Sequence, residues 1–307
     1  MKAFSKICFL SLCLFLVSPC FMADDSAPKT SNTVEYVVAN ATVCPVRENP
    51  SYAAEQATQL LFGELCEVLE RIPSWTKIRS TIDGQVGWVS SSMLTPTLTP
   101  PMANAVVVTP MATAIPMNGE PPLLLTLGTR LANYAHGSFE VLGQHYLIDS
   151  TCVHITTSVS DLPSTGAADL QRSDLQRSDL ITIAKSLLNT PYLWGGKNAM
   201  GLDCSGFTQV VYAAIGVNIL RNAREQITQG ELVPSLSDAL PGDLAFFDQD
   251  DYDPNDIRIT HVGILLSPTE IIHCAGGRVH IDRIDDDGIY LPDGTMTHHL
   301  VQINRYL

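Results

Sequence analysis

Three side chains in the C-terminal half of the chain, Cys204, His261 and His273, could together break an amide bond. A cysteine attacks a carbonyl carbon as its thiolate. It therefore needs an imidazole beside it to take the proton, and a third polar group to fix that imidazole's tautomer. Cys204 lies in Asp203-Cys204-Ser205-Gly206-Phe207, seven residues after Pro191-Tyr192-Leu193-Trp194-Gly195-Gly196. Apolar residues at Val210, Val211, Ala214 and Ile215, closed by Gly216, predict a helix with Cys204 at or just inside its N-terminus. There the first-turn amides and the positive end of the helix dipole are expected to lower the thiol pKa and to hold an oxyanion. His261 opens one predicted strand, through Leu266, and His273 ends the next, with a turn at Ser267-Pro268 between them. A hairpin of that kind sets the two rings side by side.

Other elements must hold this constellation. Ser178-Asp179 can cap a helix running to Leu188, which Pro191 ends. Residues 33–95 read as short strands around Val34–Val38, Glu67–Glu70, Thr76–Arg79 and Val86–Val89, with turns at Gly63 and Asp83-Gly84, a pattern that fits a small barrel. Thr95 to Pro101 carries three prolines in seven residues, which predicts a stiff linker. Residues 102–158 read as a second, degenerate barrel, with strands near Val106–Val108, Leu123–Leu125, Phe139–Leu142 and His145–Ile148. The Leu123–Leu125 run also suits an interdomain contact. Residues 159–178 hold a repeated Asp-Leu-Gln-Arg-Ser, read as an exposed linker or the lead-in to the next helix. Residues 179–307 then form the catalytic unit.

Composition limits the partners. Of 307 residues, 45% are hydrophobic, so a packed core is expected, and the net charge of −14 disfavours a nucleic-acid partner, whose phosphates need Lys and Arg. Residues 1–23 read as an export signal: Lys2 and Lys6, an apolar run from Ile7 to Val17, then small residues. The run is short for a bilayer and no later one is longer, so no membrane span is expected, and a periplasmic or extracellular location follows. Cys20 is a candidate lipid anchor, but Pro19 fits a lipobox poorly. Of the mature cysteines, Cys44 and Cys66 read either as a bridge or as buried hydrophobes, and Cys274 reads as buried filler.

Gln59 to Glu64, Trp75, and Asp83-Gly84-Gln85-Val86-Gly87-Trp88-Val89 resemble a bacterial SH3-like module. Residues from about 178 to the end resemble the NlpC/P60 family. The landmarks are Pro-Tyr-x-Trp-Gly-Gly, Asp-Cys-Ser-Gly-Phe, Pro241-Gly242-Asp243, His261-Val262-Gly263-Ile264 and Ile272-His273-Cys274-Ala275. The resemblance implies an α+β chain: a papain-like catalytic domain preceded by one or two SH3-like barrels. It implies a cysteine peptidase acting on peptidoglycan stem peptides or free muropeptides, most often between γ-D-glutamate and diaminopimelate. Cys204 would be the nucleophile, His261 the base and His273 the orienting residue, with Tyr192 beside the pair and Asp203 and Ser205 lining a substrate subsite. In relatives that trim free muropeptides the barrel helps select a free N-terminal L-Ala; this chain has Gln85 where those often have Tyr.

Further readings are set against plainer ones. Asp203 can cap the helix and also meet an ammonium. Glu55 is a candidate ammonium partner and Arg258 a candidate carboxylate partner. Trp194 is expected to pack in the interior, and the glycines of both motifs to allow close backbone approach. Five aspartates between Asp248 and Asp256 read as a solvated rim loop rather than a calcium site, so no metal and no cofactor is expected. An amidase or acyltransferase on the same fold, or a non-catalytic wall-binding protein, are the competing functions.

Overall fold

The computed structural model describes residues 34–156, 166–248 and 257–307, with the backbone alone over 166–175. The predicted export signal and most of the aspartate-rich loop lie outside the described residues.

In the first module inward residues alternate with outward ones, as a half-buried strand requires. Val37, Cys44, Val46, Leu60, Ile78 and Val89 meet in one core. Seven antiparallel strands run in the order Gln56–Leu61, Val43–Arg47, Val86–Ser90, Trp75–Ser80, Leu65–Ile72, Tyr36–Ala39 and Leu94–Thr97. Gly87 permits the tightest approach: a Cβ there would lie 2.5 Å from Val46 Cγ1 and 2.9 Å from the Arg47 carbonyl. Cys44 and Cys66 are both buried and free. The proline-rich segment differs from expectation at its start. Leu94–Thr97 pairs with Tyr36–Ala39 as an edge strand, where a proline costs no ladder hydrogen bond.

The second module is also all-β, with sheets of four and three strands. Leu125, Leu131, Phe139 and Val141 form its core, so the leucine run serves its own module. Phe62 of the first module enters that core and meets the Tyr146 ring edge-on.

The stretch expected to be a linker over 159–178 is helical from Gly166. The helix Gly166–Ser186 absorbs the repeat because Arg177 and Leu180 are both buried. Arg177 donates to Asp243 (3.2 Å) and to the Pro241 carbonyl (3.0 Å), and Arg305 reaches the same carboxylate at 2.7 Å. The Pro241-Gly242-Asp243 landmark is therefore an anchor for two arginines. The helix Cys204–Ala214 is apolar nearly all round and is buried nearly all round. Phe207, Val210 and Val211 pack between the long helix and the sheet residues Val262, Ile264 and Ile272.

That sheet is antiparallel and closes on itself. Met296–Arg305, Leu244–Asp248, His261–Ser267, Glu270–Ala275, Arg278–Ile284 and Gly288–Tyr290 follow one another, and the last pairs back onto the first. Among the described residues no helix is long and apolar enough to cross a membrane.

Candidate active site

Asp203 caps the helix Cys204–Ala214. Its backbone is extended, and its carboxylate accepts from the Gly206 N–H at 2.6 Å, which satisfies one orphan donor of the first turn. Cys204 is thus the first helical residue. Gly206 is required because a Cβ there would lie 2.1 Å from the Gly196 carbonyl. Cys204 packs in one core with Val262 and shares the cleft lining with Ile259 and Thr260, which places it against the start of the His261 strand.

The two histidines share one face of adjacent strands. Gly263 stands opposite His273 in the register, and His261 lies two residues earlier. A Cβ on Gly263 would meet His273 Cβ at 2.9 Å, so the glycine leaves the space through which the rings meet diagonally. His261 Nε2 and His273 Nδ1 are 2.8 Å apart, and His273 Nε2 is 3.2 Å from Asp282 Oδ2. A carboxylate only accepts, so His273 carries its proton on Nε2 and receives one from His261 Nε2–H. That assignment leaves the lone pair of neutral His261 on Nδ1, the nitrogen not engaged by His273 and available to the thiol.

Burial sets the protonation of the reactive pair. It pushes the Cys204 thiol up to about 12, with the Asp203 carboxylate adding to the rise. It holds His261 well below the ordinary imidazole range, helped by His273 and His298. Against the expected lowering at a helix start, burial is the largest influence on the thiol and outweighs the lowering by the Ser205 and Val262 amides. Burial thus opposes both charged forms, the thiolate and the imidazolium. Tyr192 is also raised, by burial and then by the Cys204 charge, as a phenol close to the sulfur would be.

A cleft of about 360 Å³ opens above Cys204, bordered by Tyr192, Trp194, Ser205, Asn222, Thr260 and, from the first barrel, Ala57. Trp194 does not pack in the interior as expected. It is 61% exposed on the rim, and its carbonyl accepts from Gln56 of the barrel at 3.0 Å. Asp203 borders the cleft, but its oxygens already accept from Gly195 N–H, Gly206 N–H and Arg221, at 2.6 to 3.0 Å. It is a cap and ion-pair partner, with little capacity left for a substrate ammonium. Ser205 Oγ is likewise held by Arg221 at 2.9 Å. Glu55 and Arg258 are exposed and do not border the cleft. Asp248, expected in a solvated loop, is buried at a strand end and accepts from the Arg258 N–H.

The expected site lacked four residues. Arg221 is fully buried, pairs with Asp203 at 2.7 Å and donates to Thr58 of the barrel at 2.8 Å. Asp282 ends the histidine chain, its Oδ2 lying 3.2 Å from His273 Nε2. His280 shares the Asp282 carboxylate, and the His298 ring lies 4.3 Å from that of His261. The barrel and the catalytic domain also share a buried Lys197–Glu64 pair at 2.9 Å, and Gln59 accepts from the Lys197 amide and Asn198.

A sequence profile of the NlpC/P60 family matches residues 189–305, and one described as a bacterial dipeptidyl-peptidase Sh3 domain matches residues 46–94. A gamma-D-glutamyl-L-lysine dipeptidyl-peptidase of Bacillus subtilis (strain 168) is 30% identical over 229 residues, which span 70% of this chain and 71% of that protein. A probable endopeptidase p60 of Listeria grayi is 35% identical over 118 residues, 38% of this chain and 22% of the Listeria protein. The crystal structure of an NlpC/P60 family protein from Bacillus cereus ATCC 10987 superposes with a TM-score of 0.73 at 21% identity, covering 89% of this chain and 99% of that one.

Proposed function

Because the chain belongs to the NlpC/P60 family and is a cysteine peptidase, we propose that it is exported and hydrolyses peptidoglycan stem peptides at the bond between γ-D-glutamate and a diamino acid, diaminopimelate first among them. The observation that carries this reading is Cys204 at a helix start, facing the His261 strand, with His261, His273 and Asp282 in an unbroken hydrogen-bonded chain. The relative named for a γ-D-glutamyl-L-lysine bond supports the bond class, since diaminopimelate presents the same α-amine to the same γ-carbonyl.

The thiol sulfur attacks the γ-carbonyl carbon while His261 Nδ1 takes its proton, and the Cys204 amide holds the oxyanion. The imidazolium formed on His261 is stabilised through His273 by the Asp282 carboxylate, the only full charge in the chain. The C–N bond breaks, His261 returns the proton to the leaving amine, and a thioester remains on Cys204. Water, losing its proton to His261, then attacks the thioester carbon; the C–S bond breaks, His261 returns the proton to the Cys204 sulfur, and the γ-glutamyl product leaves. The barrel edge at Ala57 bounds the cleft on one side, which favours short free stems over cross-linked sacculus. Export rests on residues 1–23.

Mass spectrometry of digests of a defined tripeptide stem, a tetrapeptide stem and intact sacculus tests the proposed bond and the preference for free stems. Release of products ending in γ-D-glutamate, faster from free stems, is expected. Cleavage between muramic acid and L-alanine would identify an amidase instead, and acyl transfer to lipid without hydrolysis an acyltransferase.

A further inference from the structure

The outer end of the histidine chain carries more polar atoms than positioning requires. We propose that His273, His280 and Asp282 bind a divalent transition-metal ion of the zinc class, and that the bound ion switches the peptidase off by reversing the tautomers of His273 and His261. The binding half of this inference stands on geometry alone; the switching half rests on His261 being the base.

Zinc bonds to imidazole nitrogen and carboxylate oxygen are about 2.0–2.2 Å long, so neighbouring ligand atoms of a tetrahedral site lie about 3.3–3.5 Å apart. Asp282 Oδ2 is 3.2 Å from His273 Nε2 and 3.0 Å from His280 Nε2, and all three ligand atoms lie within 4.8 Å of one another. Two imidazoles and one carboxylate form a donor set that zinc uses with a water as fourth ligand.

An independent observation points the same way. His280 Nδ1 is 2.9 Å from the Arg278 carbonyl, an acceptor, so a neutral His280 ring carries its proton there. Its Nε2 lone pair then faces the Asp282 carboxylate oxygen, and two acceptors repel unless a cation lies between them. A second ring proton would satisfy that pair. A metal ion does so as well and takes in His273 as a third ligand. A backbone carbonyl behind the outer nitrogen of a ligating histidine is the usual support of a metal site, and it fixes the ring's orientation. The His280 side chain is 24% exposed and that of Asp282 9%, so an ion reaches them from solvent without crossing the substrate cleft.

The consequence for catalysis follows from counting protons. Without metal, His261 Nε2–H donates to His273 Nδ1, and His273 Nε2–H donates to Asp282. A metal on His273 Nε2 displaces that proton to solvent. His273 then carries its proton on Nδ1 and donates it to His261 Nε2. His261 takes a replacement proton from solvent on Nδ1, so each ring keeps one proton. The nitrogen facing Cys204 now has a proton where the general base needs a lone pair.

The test uses the full chain, zinc-buffered solutions and two readouts. Zinc is expected to abolish cleavage of the free stem reversibly, with activity restored by a chelator. His280→Asn, scored against its own uninhibited rate, is expected to raise the inhibitory concentration at least about tenfold. Separately, Cys204→Ala is expected to bind one Co²⁺ per chain with the visible absorption of a four-coordinate site, and Cys204→Ala/His280→Asn to lose it. Equal zinc inhibition of the wild type and His280→Asn would place the metal on the Cys204 thiol and overturn the proposal. So would absence of Co²⁺ binding by Cys204→Ala. Co²⁺ bound through His280 in a chain with no peptidase activity would support the metal site while removing the functional reading beneath the switch.

Discussion

Two buried polar networks flank Cys204, and they treat burial in opposite ways. On the sheet side, burial disfavours the charged forms of His261 and His273 and pushes the Cys204 thiol up to about 12. On the barrel side, Arg221 is buried as deeply, yet its charge is favoured because the Asp203 carboxylate is pressed against it and hydrogen-bonded to it. Asp203 is held in turn by amides of Gly195 and Gly206. A buried polar group is stabilised only by partners, and a chemical group needs one partner missing. The first network is open where the substrate arrives and, at its outer end, where His280 Nε2 meets the Asp282 carboxylate. The second is complete everywhere, and it fixes the wall against which the substrate lies.

Removing the nucleophile separates the two most sharply. Cys204→Ala is expected to lower turnover by at least about 10⁴-fold, since loss of a nucleophile removes the covalent route altogether. The same substitution should shift the urea midpoint little, because the cysteine is partly open to the cleft. Cleavage at the wild-type rate would remove Cys204 from the chemistry and overturn its reading as the nucleophile. On the other side, Lys197→Met leaves Glu64 buried without its partner and is expected to cost about 3–5 kcal/mol in urea unfolding. Lys197→Met combined with Glu64→Leu should recover most of that loss. A double variant as unstable as the single one would show that packing, not the stranded charge, is responsible.

The sequence made these regions legible to different degrees, for physical reasons. The sheet side is built from local periodicity. His261 and His273 flank one turn, and the helix start at Asp203-Cys204 has its own capping signal. Asp282 and His280 were open to the same reading. Gly276-Gly277 marks a two-residue hairpin, pairing Ala275 with Arg278 and therefore His273 with His280, and the alternation through Asp282 then sets both on the same face. The barrel side has no such signal. Glu64 and Lys197 are 133 positions apart, and Thr58 meets Arg221 only because two modules dock. The thiol pKa was misjudged for the same reason. The helix start is local and visible in sequence, whereas the burial that outweighs it comes from the whole fold. The helical repeat belongs here too: its five-residue period gives no clear amphipathic stripe, and the distant Asp243 supplies the partner that draws Arg177 inward.

A smaller effect is expected at the outer end of the sheet-side network. Asp282→Ala removes the acceptor that sets the His273 tautomer, and kcat should fall about ten- to a hundred-fold, the range seen when an outer partner of a working histidine is lost. The Michaelis constant should hold, since Asp282 does not border the cleft. Asp282→Asn, whose amide oxygen still accepts from His273 Nε2–H but carries no charge, should recover only part of the rate. Equal losses in both variants would mean that the carboxylate charge matters more than the tautomer it imposes.

The mildest perturbation tests whether the barrel-side network acts on the substrate at all. Gln85 donates to both oxygens of Glu225 at 3.2 and 3.0 Å, and Glu225 accepts from the Asn222 N–H and side-chain amide at 3.1 and 3.0 Å. Asn222 and its two successors border the cleft. Gln85→Ala therefore loosens a wall of the substrate site from the barrel while leaving Cys204 and the histidines untouched. A hydrogen bond to a partly buried carboxylate contributes about 1 kcal/mol, which corresponds to a rise in the Michaelis constant of about fivefold with kcat unchanged. The rise should appear with the free tripeptide stem and be smaller with sacculus, whose binding does not depend on a closed cleft end. A loss confined to kcat would show instead that the barrel acts on the reacting atoms, and the division between a reactive side and a positioning side would fail.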